Sequence, residues 1–535
     1  MRILDFYPSQ GCFFPGGMVT FEIELEASFS VGVSLQIFIY HFSSQLAVLQ
    51  KTFHLEPGLQ IVQMQWNPPE TPAGYSARLE SVFGDEAQLH TAATSFDILS
   101  NWRDFPRYGF LADFSASRPD PDTVLKKLTR FHVNGLQFYD WQYRHDQLLS
   151  RTETYIDPLG REMSLASVRA LVHAAHRHGM AAMPYLAIYA ASAEFWRSHP
   201  DWALYDQAES PIAFGDNFLG LMDPSRESQW SKHLLGEGTR ALDAIPFDGL
   251  HIDQYGDPKL AWNAQGSPVD LPQAFVDFIQ TASDLHPEQT ILFNAVGNWP
   301  IEALAESSVD FLYIEVWPPD VEYRHLAEIV LNAVRLSHGK AVVIALYLPA
   351  SRAANNLLAD AVILACGGTR IELGEEARLL SDPYFPRHEE ISSSLFSELR
   401  KFSDYMVRNG EWLRPYALSG AEREGWAQAR LNPPFVSIDA SIWTVARSYP
   451  KSMVIQLVNF TNLDSHQRWD EAHLAPASWK EVMVRIQTSR QPAQILWDCP
   501  EQIDGPQELG FEYLEGTLTV KIPQINFTGL LNIHE

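Results

Sequence analysis

Cysteine is nearly absent from this chain: Cys12, Cys366 and Cys499 are the three in 535 residues, far apart and without a CxxC pair. Neither a disulfide framework nor a zinc site is signalled, and plain buried or free thiols are expected. Basic residues are scarce too, 39 Lys and Arg against 66 Asp and Glu, which leaves a formal charge of −27. Such a surface repels phosphate backbones and anionic membranes, so nucleic acid is not expected as a partner. No apolar run approaches the ~18–20 residues that span a bilayer, so no membrane span is expected either. The opening MRILDFYPSQGCFFPGG lacks the apolar stretch and cleavage site of a secretory signal. A cytoplasmic location is therefore expected for the chain as it stands, and an extracellular one if a leader has been removed. Internal repeats, low-complexity tracts and Gly/Ser linkers are missing as well.

Aromatic residues are plentiful at 12%, with 15 Trp and 19 Tyr. Such rings stack on the apolar faces of sugars as readily as they fill cores, which leans towards a neutral, hydroxylated substrate. A chain this long exceeds a single hydrophobic core, so two or three domains are expected.

Near the start, Val19, Phe21, Ile23 and Leu25 alternate with Thr20, Glu22, Glu24 and Glu26, the period-two pattern of a strand with one wet face. Val33, Leu35, Ile37 and Ile39 repeat it. Residues 1–98 read as a β-sandwich. From about Trp102 short apolar strands alternate with amphipathic helices, as parallel strands joined by helical crossovers require. Eight strands are expected, at 108–113, 135–140, 181–185, 249–253, 290–294, 311–315, 341–347 and 369–372, which makes residues 99–411 a (β/α)8 TIM barrel. A doubly wound open sheet is the alternative, but it lacks the Gly-rich first turn that such folds use for phosphate. After about Trp412 short strands return, and 412–535 reads as a second, antiparallel β-sandwich.

Barrel enzymes place their chemistry at the C-terminal ends of the strands. Phe247–Asp257 delivers Asp253 to the barrel mouth, with Gln254 and Tyr255 directly behind it as expected substrate contacts. Val309–Pro319 does the same for Glu315, followed by Trp317. Each has a plainer reading: Asp253 as a helix cap, Glu315 as a salt-bridged residue beside a core Trp. Together they are the pair that glycoside hydrolysis needs, one attacking or stabilising the anomeric carbon while the other protonates the leaving oxygen. Trp317 supplies an apolar wall that raises a carboxyl pKa, or a face for a sugar.

The exit of the second strand packs Tyr139, Asp140, Trp141, Arg144, His145 and Asp146 closely and reads as a sugar-recognition loop, or as an ion pair with buried aromatics. Tyr185, Asn294 and Glu372 are weaker candidates from other strand ends. Asp253, Asp257 and Glu315 can be drawn as a hard-cation site, but no metal is expected. The His173–His178 stretch reads as a solvated helix end.

At these residues the chain resembles glycoside hydrolase family 66, the dextranases and cycloisomaltooligosaccharide glucanotransferases. The resemblance rests on Asn134–Trp141 with Tyr143–Asp146, on Leu221-Met222-Asp223-Pro224, on the Asp253 and Glu315 segments, and on Gly367-Gly368-Thr369 through Glu372-Leu373-Gly374-Glu375. It implies an N-terminal Ig-like domain, a barrel and a C-terminal β-domain. It also implies a retaining double displacement at α-1,6-glucosidic bonds of dextran or isomaltooligosaccharides, with Asp253 as nucleophile and Glu315 as general acid/base, and no cofactor. The transferases of the family typically carry a large carbohydrate-binding insertion after the seventh strand, whereas Tyr347 and Thr369 lie only 22 positions apart. An endo-acting dextranase is therefore the leading expectation and a cyclising or transglycosylating enzyme the alternative. A non-catalytic glucan-binding protein is the reading from another class. Oligomeric state is not legible.

Overall fold

The computed structural model describes residues 1–83, 88–414, 430–431, 436–437, 441–449, 451–463 and 468–535. Among them, seven N-terminal strands form a three-stranded and a four-stranded sheet. Val19–Ala27 buries Val19, Phe21, Ile23 and Leu25 and turns its Glu residues outward, as the alternation requires. These side chains meet Val33, Leu35, Ile37, Ile39 and Phe96 in one core between the sheets.

Eight parallel strands follow among the described residues: Tyr108–Leu111, Gly135–Phe138, Ala181–Ala187, Gly249–Asp253, Thr290–Val296, Leu312–Glu315, Val342–Ala345 and Gly368–Ile371. Each pairs in parallel with the next in chain order. Directly after the eighth, Gly374 pairs in parallel with Phe110, so the sheet curls back to its first strand as a TIM-like barrel. Helices form the crossovers. Ser164 caps Leu165–Arg177, its hydroxyl accepting from the Ser167 N–H, and Gly179 takes a φ of 66° just past the helix end.

Side chains of one parity fill the barrel interior. Tyr108, Phe110, Met183, Leu292, Phe311, Tyr313, Val343, Ala345 and Ile371 share one buried cluster, and His251 stands among them, its ring stacked on Tyr108 and edge-on to Tyr313. The opposite parity packs outward against the helices.

C-terminal to the barrel lie a six-stranded and a four-stranded sheet, built on strands such as Ser452–Asn459 and Thr517–Ile525. Their facing side chains, among them Ile455, Leu457, Val484, Val520 and Leu531, form a core of their own. Residues 415–429, assigned above to the start of this region, lie outside the described residues.

The helix Ser393–Arg408 touches all three parts. Leu395, Leu399 and Phe402 join the barrel's outer core. Asp404 accepts from the Ser95 N–H at 2.6 Å, and Arg400 donates to the Phe6 carbonyl at 2.6 Å, on the N-terminal side. Arg408 makes a bidentate pair with Asp498 at 2.7 and 2.8 Å on the C-terminal side, with both side chains buried. All three cysteines are free and buried. No helix among the described residues is long and apolar enough to cross a membrane.

Candidate active site

Barrel parity decides what faces the mouth. Successive side chains of a strand alternate between faces, so a residue two or four positions beyond an interior side chain emerges at the C-terminal opening. His251 leads to Asp253, Leu292 to Asn294, Phe311 and Tyr313 to Glu315, Met183 to Tyr185, and Val343 and Ala345 to Tyr347. These five strand ends converge.

Asn294 is the hinge of the arrangement. Its Nδ2 donates to Asp253 Oδ1 at 2.8 Å and to Glu315 Oε2 at 2.8 Å. The two carboxylate oxygens therefore lie no farther apart than twice that distance, 5.6 Å. Tyr347 Oη donates to the other oxygen of Glu315, Oε1, at 2.7 Å. Trp317 also hydrogen-bonds Glu315 and packs 5.8 Å from Tyr347 with about a third of its surface open. Tyr185 and the Gln254 backbone hydrogen-bond Asp253.

Burial dominates the electrostatics. It pushes Asp253 up to about 7, helped by the charge of Glu315 and opposed by the bonds from Tyr185, Asn294 and Gln254. Burial raises Glu315 as well, against its bonds from Tyr347, Asn294 and Trp317. Two buried carboxyls this close resist ionising together, so the pair holds a proton to higher pH than an isolated carboxyl would.

The recognition loop divides. Tyr139 lies over Phe385, ring centroids 4.2 Å apart, and next to Tyr185 at 5.9 Å. Asp140 takes a φ of 50° and burial lifts its carboxyl to about 6, against the charge of Arg161. His145 meets Tyr185 edge-on at 6.5 Å, and burial depresses it to about 4, so it is neutral at physiological pH. Tyr255 lies close enough to Asp253 for that charge to add to burial in raising its phenol. Three buried polar atoms in this group, Asn294 Oδ1, His145 Nδ1 and Tyr255 Oη, have no hydrogen-bond partner in the protein.

Three expected contacts turn away. Trp141 is fully buried against Phe247 and donates its indole N–H to the Tyr185 carbonyl, which makes it a core residue beneath the loop. The Gln254 side chain is buried and holds the loop together, donating to the Asn294 and Trp299 carbonyls at 3.3 and 3.2 Å. Glu372 has the parity opposite to Ile371 and leaves the barrel on its outer side. There it pairs with Arg370, itself paired with Asp360 at 3.2 Å, beside a small cavity lined also by Leu399 and Phe402. Conversely, Tyr347 was not singled out beforehand, although the parity of its strand marks it. Among the described residues no cluster of His, Cys, Asp and Glu has metal-holding geometry.

A barrel with a bridged carboxylate pair at its mouth has the layout of a glycosidase. The family model for glycosyl hydrolase family 66 matches residues 10–528, and the chain belongs to that family, as its motifs suggested. A cycloisomaltooligosaccharide glucanotransferase of Niallia circulans is 26% identical over 62% of this chain and 37% of its own length. A dextranase of Streptococcus salivarius is 21% identical over 78% of this chain and 60% of its own. The chain thus spans less than two thirds of the curated relatives it matches. In fold it is similar to a cycloisomaltooligosaccharide glucanotransferase of Paenibacillus sp. solved in complex with cycloisomaltoheptaose, with a TM-score of 0.88 and 19% identity over 99% of both chains.

Proposed function

We propose that this protein is a retaining glycosidase that cleaves α-1,6-glucosidic bonds of dextran or isomaltooligosaccharides by double displacement. The observation that carries the reading is the 5.6 Å ceiling on the Asp253–Glu315 oxygen separation. Retaining enzymes hold their carboxyls ~5–5.5 Å apart, whereas inverting ones need ~6.5–9.5 Å to admit a water. Family membership and the names of the relatives support the substrate class.

In this reading Asp253 attacks the anomeric carbon while Glu315 protonates the departing glycosidic oxygen. Positive charge developing on the sugar favours the Asp253 anion and moves the shared proton to Glu315. Glu315 then takes a proton from water, whose oxygen displaces Asp253 and restores the α configuration. Asn294 fixes both carboxyls, and sugar hydroxyls satisfy the orphaned Asn294 Oδ1 and His145 Nδ1. Tyr139, Asp140 and Tyr185 surround the reacting ring. The N-terminal sheets we read as an immunoglobulin-like sandwich that braces the barrel.

A sugar hydroxyl competing with water gives transglycosylation or cyclisation, and two glucanotransferases among the relatives favour weighing it. One helix, Ala353–Ala365, fills the connection between the seventh and eighth strands, which supports hydrolysis. Incubation with dextran and isomaltooligosaccharides, followed by NMR of the new ends, decides the matter. Fresh α-anomers are expected, with Asp253→Ala inactive and partly rescued by azide. Initial β-anomers, or turnover by Asp253→Ala without azide, would sink the reading. Cyclic or lengthened products at high substrate concentration would shift it to the transferase.

A further inference from the structure

Beyond the carboxylates, a short hairpin carries an aromatic ledge. Strands Ala213–Phe214 and Leu219–Leu221 are joined by residues 215–218, of which Gly215, Asp216 and Asn217 stand at positive φ (60°, 52° and 66°). Asp and Asn tolerate that region better than other side chains, and the Phe218 N–H closes the turn on the Gly215 carbonyl at 2.9 Å. The hairpin's base is fixed: Leu219–Leu221 pairs with Ala190–Ser192, and the Met222 N–H donates to the Tyr189 carbonyl at 2.7 Å.

At its tip Phe214 is 46% exposed and Phe218 39%. The inner face of Phe214 stacks on Tyr255 with ring centroids 4.5 Å apart at 23°. Tyr255 stands two residues past Asp253, is held edge-on by Tyr189 at 5.7 Å, and donates its backbone N–H to Tyr189 Oη at 2.8 Å. The Tyr255 face is thus occupied by Phe214, while the outer face of Phe214 stays open. An immobilised ring with one open face, continuous with the aromatic wall of the catalytic pair, is built to receive a flat apolar partner.

We propose that Phe214 is a glucosyl-binding platform outside the catalytic pair, taking the apolar face of a pyranose in α-glucan chains too long to be held by the carboxylate site alone. The inference rests on the functional reading above and extends it to chain length. With a formal charge of −27 on the chain, a neutral sugar is a better occupant of this ledge than an anionic one.

Binding without turnover tests it. In a Glu315→Gln background, calorimetric titration with isomaltooligosaccharides from two to eight glucose units gives a length series. Adding Phe214→Ala is expected to weaken the longer ligands about tenfold and the disaccharide less than twofold, as loss of one stacking contact implies. Phe214→Trp is expected to keep the length dependence. Equal loss at every length would overturn the platform, because it marks a general disturbance of the site. No loss at any length would overturn it equally. If the Glu315→Gln protein binds no member of the series, the substrate reading itself fails and takes the platform with it.

Discussion

Replacing Tyr347 by Phe removes one hydroxyl and nothing else, which makes it a clean probe of Glu315. Tyr347 Oη donates to Glu315 Oε1 at 2.7 Å, and two further donors, Asn294 and Trp317, remain on the carboxylate. A donor to an anion lowers its pKa, so its loss raises that of Glu315, in the same direction as burial. A hydrogen bond to a charged group contributes about 1.5–3 kcal/mol, and 1.36 kcal/mol corresponds to one pKa unit. With two donors left to compensate, the low end applies and the shift is about one unit. In the proposed mechanism Glu315 is the general acid and must be protonated to work, so the alkaline limb of kcat/KM should move up by about one pH unit. At the optimum, kcat should fall about tenfold, because the carboxyl loses one of the bonds that aim it. The assay is a pH profile of initial rates on an isomaltooligosaccharide, repeated with an aryl isomaltoside whose leaving group needs little protonation and whose kcat should fall less. A limb that stays in place, or moves to lower pH, refutes the argument. A lower kcat with an unmoved limb would mean that Tyr347 only packs.

Two more outcomes follow from buried charge. Asp253 is raised to about 7 in the folded protein against ~3.9 in an unfolded chain. The folded state therefore holds an extra proton between those values, and stability declines as pH rises from about 4 to about 7. Asp253→Asn should raise Tm at pH 8 and leave it nearly unchanged at pH 4, and equal increments at both pH values in thermal melts would contradict this. Asp498→Ala leaves the Arg408 guanidinium buried without its bidentate partner and should cost about 3–5 kcal/mol in urea unfolding; a loss under 1 kcal/mol would show the pair to be well hydrated.

How much of this was legible in the sequence depended on which property carried the signal. The barrel strands were readable because apolar runs repeat with helical connections, and the observed bounds differ from the expected ones by a residue or two. Asp253 and Glu315 were readable because a carboxylate at the end of an apolar strand is costly unless used. Direction was harder. Glu372 ends its strand just as Glu315 does, but Ile371 takes the interior position, which sends Glu372 outward to Arg370. Trp141 sits in a polar, aromatic loop that reads as recognition, yet its indole bonds a main-chain carbonyl in the core. Asn294 was ranked among the weaker candidates although it bridges both carboxyls, because composition along a strand does not reveal partners across strands. Tyr347 needed only the parity of Val343 and Ala345 to be found.

The helix Ser393–Arg408 has a consequence for how this molecule can move. It is held on one side through Arg400 and Asp404 and on the other through Tyr405 and Arg408, with its apolar stripe on the barrel. A single rod anchored at three places leaves no pivot between the parts it joins. Opening and closing of the cleft by rotation of whole bodies would have to tear buried ion pairs out of register. Access to the cleft is therefore left to the short segments at the strand exits, and evolution can retune what is accepted there without disturbing the frame.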